Sequence, residues 1–195
     1  MKKLLEQGSF GLYSKVRLDE ARGDVLQHSQ YSMAEKKTTV FISHKHDDLE
    51  DLKGVLGYLE RFFGIKVYID SQDPSMPKVT SAETAHNIKQ RIKQCNKFIL
   101  LATNAAIESK WCNWELGYGD AQKYPENIAL FPLKPKGTRD TDYKGSEYMK
   151  IYPYIAYYDG TEKNTKGELI SAGYYVCTDK SNYTSLISLR TWLNK

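Results

Sequence analysis

The chain has 195 residues, of which 41% are apolar and 27% charged, with a formal net charge of +4. That length and apolar share suit one domain with a buried core, and the mild, dispersed positive charge argues against a nucleic-acid partner. No run of about 18 apolar residues exists to span a membrane, and the apolar part of Met1–Leu5 is too short for a secretory signal. Three cysteines, Cys95, Cys112 and Cys177, are odd in number and far apart. They argue against a disulfide framework or a zinc site and fit a reducing cytoplasm.

Residues 1–36 read as an arm of unknown role. Gly8, Gly11 and Gly23 interrupt any helix there, Val16–Arg22 is compatible with a short helix or strand, and the run from Met33 reads as a linker. The domain proper is expected over 37–195. Thr38–Ser43 is short, apolar and β-branched, which predicts a buried strand. Asp47 or Asp48 then caps a helix whose Leu49, Leu52, Leu56, Leu59 and Phe63 recur at helical spacing, with Gly64 closing it. Ile65–Ile69 is a second strand. Asp70–Thr80, with Pro74 and Pro77, is an irregular loop. Ser81 caps the next helix, with Ala82, Ala85, Ile88, Ile92 and Cys95 on its buried stripe. Lys97–Ala102 is a strand, and Asn104 is expected to cap the helix that follows it. Ile128–Leu133 is a fourth strand.

Strands alternating with helices predict an α/β fold, with a central parallel sheet covered by helices on both faces. Beyond Leu133 the alternation weakens. Tyr154–Tyr158 reads as a fifth strand, Asp159–Lys166 as a turn-rich insert, and Ser171–Cys177 as a further strand at an edge. A last helix from Ser181 or Asn182 would carry Leu186, Leu189, Trp192 and Leu193. The tyrosines that crowd this half suit half-buried strand faces.

In open sheets of this type ligands bind beyond the carboxyl ends of the strands. That rule groups Ser43–Asp48, Asp70–Thr80 and the start of the helix holding Trp111 at one rim. In that helix Ile107, Trp111, Trp114 and Tyr118 fall on one apolar stripe, with Glu115 at its edge. Most mid-helix glutamates continue a solvated face. A carboxylate beside two indoles also fits the wall of a ligand pocket, where burial raises its pKa unless a partner holds the charge. The stretch alone does not choose between the two.

Phe41, Ile42, Ser43 and His44, with Asp48 five residues after Ser43, resemble the first-strand motif of TIR (Toll/interleukin-1 receptor-like) domains. The run Ser109–Leu116 (SKWCNWEL) resembles their third-helix motif, in which a Trp precedes a catalytic Glu by four positions. The resemblance covers residues 37 to 133 well and the remainder loosely. It implies a flavodoxin-like three-layer fold with extra C-terminal strands and a helix. Asp73–Pro77 stands where receptor-type TIR domains carry an Arg-Asp-x-x-Pro-Gly signature, so docking of receptor-style adaptors is not expected.

The resemblance further implies cleavage of NAD between nicotinamide and ribose, with Glu115 stabilising positive charge on the ribose. Trp111 and Trp114 would wall the site and exclude water. Phe41, Ser43, His44, Lys45 and Asp70 complete the expected substrate contacts. His44 reads equally as a satisfied surface residue and Lys45 as a solvated one. Cys112 reads as a buried helix thiol, since no His stands beside it in sequence. No glycine-rich dinucleotide fingerprint follows any strand, and no Cys/His spacing suits a metal. NAD is thus expected as substrate, with no cofactor and no metal. By analogy with the TIR component of Thoeris anti-phage systems, the chain would self-assemble through TIR–TIR contacts and make a nucleotide signal sensed by a separate effector. A non-catalytic interaction or adaptor module is the competing reading, and a nucleoside deoxyribosyltransferase-like glycosidase a weaker third.

Overall fold

A computed structural model describes residues 4–14, 38–69 and 81–195. Asp70 and the rest of the 70–80 loop, like Val16–Arg22 and the linker from Met33, lie outside the described residues.

Among the described residues eight strands form one sheet. They are β1 (Leu5–Glu6), β2 (Thr39–Ser43), β3 (Lys66–Tyr68), β4 (Lys97–Thr103), β5 (Ile128–Lys134), β6 (Tyr154–Tyr158), β7 (Gly173–Asp179) and β8 (Thr184–Ser188). The order is β3-β2-β4-β5-β6-β7-β8, with β1 also paired to β5. Pairing is parallel from β3 through β6 and antiparallel from β6 to β8. The helices are α1 (Leu49–Phe63), α2 (Ala82–Gln94), α3 (Asn104–Glu108), α4 (Lys110–Lys123), α5 (Ser146–Ile151) and α6 (Leu189–Leu193). The result is the three-layer α/β arrangement expected, with the additional strands and helix at the C-terminal end.

Alternation along the central strands divides the interior into two cores. On one face Val40, Ile42, Ile99 and Leu101 pack with Leu52, Val55 and Leu59 of α1 and with Trp192 and Leu193 of α6. On the other, Phe41, Phe98, Leu100 and Ala102 pack with Ile88 and Ile92 of α2 and with Cys112 and Leu116 of α4. Both faces use a helical glycine for close approach. A Cβ at Gly119 of α4 would stand 3.0 Å from the Phe98 ring, and one at Gly54 of α1 would stand 2.6 Å from the Phe10 carbonyl oxygen.

Four expectations are revised. First, residues 4–14 are part of the domain: β1 pairs with Leu133 and Lys134 of β5, and Phe10, 3% exposed, fills the notch that Gly54 leaves. Second, the helix expected from Asn104 is broken. Thr103 caps α3, its Oγ1 accepting from the Ala106 amide at 3.0 Å, and Ser109 starts α4 by accepting from the Cys112 amide at 3.3 Å. Third, Thr184–Ser188 is a strand, pairing Ile187 with Val176 and Leu186 with Cys177, so β7 is interior and not at an edge. The apparent helical spacing there spans a strand and the short α6, which Ser188 caps through the Thr191 amide. Fourth, Asp48 stands at the N-terminus of α1, yet its carboxylate makes no cap bond there.

The remaining elements match their expected type within a residue or two. Gly64 closes α1 with φ 63°, and Ser81 caps α2 by accepting from the Thr84 amide at 3.2 Å. Tyr154 and Tyr158 are buried, while Tyr157, Tyr174 and Tyr175 are half-buried on strand faces.

Candidate active site

Two adjacent parallel strands reach the carboxyl rim, Ser43 of one standing level with Leu100 of the other. β2 ends in Ser43 and its neighbour β4 ends in Thr103. Ser43 shares the pleat face of Phe41, so its hydroxyl points toward α4. There it donates to Glu115 Oε2 at 2.5 Å. Both residues are enclosed, Ser43 at 0% and Glu115 at 1% exposure. A buried carboxyl group is rare, and a hydroxyl donor at this distance makes a short hydrogen bond.

Several contacts hold α4 so that Glu115 meets Ser43. The Asn113 amide donates to the Ile107 carbonyl at 2.9 Å, and Tyr148 of α5 donates to Asn113 Oδ1 at 2.8 Å. At the far end Lys123 donates to the carbonyls of Lys93, at 3.0 Å, and Cys95, joining α4 to the end of α2. Burial pushes the Lys123 ammonium below the ordinary lysine range, and the same enclosure raises the Cys95 thiol to about 11. Cys95 is thus an inert core thiol, and Cys112, 1% exposed, sits in the core as its sequence reading requires.

The buried side of α4 runs through Cys112, Glu115, Leu116 and Gly119. Glu115 therefore sits within the enclosed face, not on the margin of an aromatic stripe. The stripe itself is half-buried beside it. Trp111 and Trp114 stack with ring centroids 4.9 Å apart, Trp114 and Tyr118 lie 6.2 Å apart, and Lys89 of α2 stands 5.6 Å from the Trp114 ring. Ile107, expected on the same stripe, belongs to α3.

The other expected contacts divide. His44 is buried at 8% and follows Ser43 directly at the rim, and Lys45 is half-exposed beside it. Phe41 lies one pleat below, 0% exposed, between the rings of Tyr68 and Phe98 at 5.6 Å each. It is a core residue directly beneath Ser43 on the same face of the sheet.

Thr103 was not singled out by sequence, and Asp48 was read as a cap and as part of the first-strand motif. The Thr103 hydroxyl donates to Asp48 Oδ2 at 2.5 Å, and Asp48 is 6% exposed. Burial raises the Asp48 carboxyl above its usual value, against the pull of that hydroxyl bond. Gln7 reaches the same corner, its side-chain amide donating to Asp51 at 3.0 Å, and the Gly8 amide donates to Asp51 at 2.6 Å. The signal for Asp48 was its place in the first-strand motif. Nothing local marked Thr103, whose partner is 55 residues away.

Chemically, the rim offers one enclosed carboxylate held by a hydroxyl, next to stacked indoles. Such a group suits stabilisation of a developing cation on a bound ligand, with the rings keeping water away. Among the described residues no cluster of His, Cys, Asp and Glu is placed to hold a metal, and no helix is long and apolar enough to cross a membrane.

A relative from Bacillus cereus (strain MSX-D12), named a probable 3' cyclic ADP-D-ribose synthase, ThsB', is 27% identical over 180 residues, covering 91% of this chain and 86% of the relative. Residues 40–170 match the TIR domain family, a span that holds all but the first residue of β2, the whole of α4 and the Ser43–Glu115 pair. The chain belongs to the TIR domain family.

Proposed function

We propose that this protein cleaves NAD at the bond between nicotinamide and ribose and converts the rest into an ADP-ribose-type signal nucleotide, in bacterial anti-phage defence. The observation that carries the reading is the enclosed Ser43–Glu115 pair at the ligand-binding rim of a TIR domain. The name of the Bacillus cereus relative supports a cyclic product.

The C–N bond to nicotinamide breaks with its electron pair leaving on the ring nitrogen. Nicotinamide departs as a neutral base and needs little acid help. The ribosyl carbon gains oxocarbenium character, which the Glu115 carboxylate stabilises. The Ser43 hydroxyl holds that carboxylate in place. Trp111 and Trp114 line the entrance, while His44 and Lys45 contact ribose or pyrophosphate. A nucleophile then bonds to the ribosyl carbon and loses its proton. Water gives ADP-ribose, and a hydroxyl or adenine nitrogen of the same molecule gives a cyclic isomer. NAD is the substrate and no separate cofactor takes part. Assembly of copies through TIR–TIR contacts, a cytoplasmic site of action and a separate product-sensing effector complete the proposal.

The test incubates purified protein with NAD and separates the products by chromatography, with infected-cell extract present and absent. The expected result is loss of NAD with release of nicotinamide and a cyclic nucleotide, abolished in Glu115→Ala with its circular dichroism unchanged. Undiminished turnover in that variant overturns the assignment. No turnover under any condition, with intact fold, favours a non-catalytic interaction module.

A further inference from the structure

We infer that Asp48 is a positioning residue for Glu115, acting through Thr103. The inference rests on the proposed NAD cleavage for its activity readout and on geometry alone for its structural one.

The two hydroxyl–carboxylate bonds at the rim are crossed. Ser43, at the end of β2, holds the carboxylate of the helix that follows β4. Thr103, at the end of β4, holds the carboxylate of the turn that follows β2. Both bonds measure 2.5 Å, both are buried, and they lie on opposite faces of the sheet. Each loop is therefore fastened to its neighbour twice, once above the sheet and once below.

Thr103 does a second thing with the same oxygen. It accepts from the Ala106 amide at 3.0 Å and so sets the direction of α3. The α3 helix is one turn long and leads through Ser109 directly into α4. Asn113 ties the first turn of α4 back to Ile107 of α3. A chain of bonded groups thus runs from Asp48 through Thr103, α3 and Asn113 to the turn that carries Glu115. On its other side Asp48 precedes α1 and ends the turn His46–Asp48, which follows the Ser43–Lys45 stretch. Asp48 bonds Thr103 through its carboxylate and the Lys45 carbonyl through its amide at 2.9 Å, and acts by fixing the spacing between the loop after β2 and Glu115. Reacting groups are sensitive to such placement, and a displacement of about 1 Å from a remote change can cost on the order of a hundredfold in rate.

The experiment compares Thr103→Val, Thr103→Ser and Asp48→Ala in the full chain, with Tm and steady-state NAD cleavage measured for each. Thr103→Val and Asp48→Ala each lower kcat on the order of tenfold to a hundredfold, with KM within about twofold, and the double variant is no worse than Thr103→Val, which already removes the bond the two share along with the Ala106 cap. Thr103→Ser keeps the hydroxyl and recovers most of the lost kcat. Equal losses in Thr103→Val and Thr103→Ser, or additive losses in the double variant, overturn the inference. Amide exchange is measured on the same proteins without substrate. Faster exchange over both 43–48 and 103–116 in Thr103→Val but not in Thr103→Ser supports the crossed fastening, and unchanged exchange overturns it. A wild-type protein inert toward NAD defeats the proposed function alone, because the exchange comparison still decides the positioning.

Discussion

The two faces of the sheet carry the same device at the same rim for different ends. On the α4 side a serine hydroxyl holds Glu115, and on the α1 side a threonine hydroxyl holds Asp48, both at 2.5 Å. Their surroundings differ. Beside Glu115 stand stacked indoles, with His44 and Lys45 at the loop that follows Ser43. Behind Asp48 stand Gln7, Asp51 and the N-terminal segment, packed against α1 through Phe10. One carboxylate lies on the helix of the stacked indoles and the other lies beside the chain's own N-terminal residues. Burial of a carboxylate therefore does not by itself mark a catalytic group. What lies beside it decides the role.

Removing charge on each side should separate the two roles. Glu115→Gln retains shape and a hydrogen-bond acceptor but not the charge. Loss of one preorganised electrostatic stabiliser typically costs about a hundredfold to a thousandfold in kcat, and this variant should lose at least that much NAD cleavage with KM little changed. Retained turnover would mean that the carboxylate charge is not what stabilises the cation. On the opposite face the largest effect should fall on stability. Phe10→Ala removes a buried ring packed against Tyr58, Phe131 and Tyr174 and should cost about 3–5 kcal/mol in urea denaturation. A change below about 1 kcal/mol, the range of ordinary exposed positions, would show that residues 4–14 do not brace this face in solution.

Ser43→Ala is intermediate. It leaves Glu115 enclosed without the serine donor, a loss worth about 1–3 kcal/mol. The carboxylate then shifts in place and kcat should fall about tenfold to a hundredfold, less than in Glu115→Gln, because the charge survives. A loss in Ser43→Ala equal to that in Glu115→Gln would instead put the serine in direct contact with substrate.

The contrast between the faces also explains what could be read from the sequence. The Glu115 side was legible because its parts are local or tied by a general rule. Ile88 to Ile92 announce their helix by spacing, Phe98 to Leu101 announces a buried strand, and the topology brings the ends of β2 and β4 together. The 72-residue separation between Ser43 and Glu115 was bridged by the family motif, not by local pattern. The Asp48 side had no such bridge. An Asp before a helix satisfies the local capping rule, and only the fold shows that its carboxylate turns to Thr103 instead. Asn104 and Ser109 are both competent caps, so local chemistry does not say which one starts the Trp111 helix. Thr184–Ser188 was lost because Leu186 happens to keep helical spacing with α6. Tertiary pairing with β7 overrides that pattern, favoured by the β-branched Thr184 and Ile187. Phe10 was hidden among glycines that break every period, and its notch exists only because Gly54 is far along the chain and close in space.

The smallest expected effect sharpens the comparison most, because two opposing forces act on Asp48. Burial disfavours its charged form, and the Thr103 hydroxyl favours it. Burial wins, so the folded carboxyl lies above the ordinary value of 3.8. As pH falls, the native protein binds this proton before the unfolded chain does. Between the two pKa values the native state holds more protons, so stability falls as pH rises through that window and is constant above it. Asp48→Asn cannot titrate. The stability of wild type minus that of the variant, taken from urea midpoints between pH 3 and 7, should decline as pH rises past about 3.8 and then level off. Carboxylates that titrate alike in both proteins cancel in this difference. A difference that rises instead would mean that the Thr103 bond outweighs burial. Asp48 would then be held as an anion, as a group poised for chemistry is, and the two faces would be more alike than their surroundings suggest.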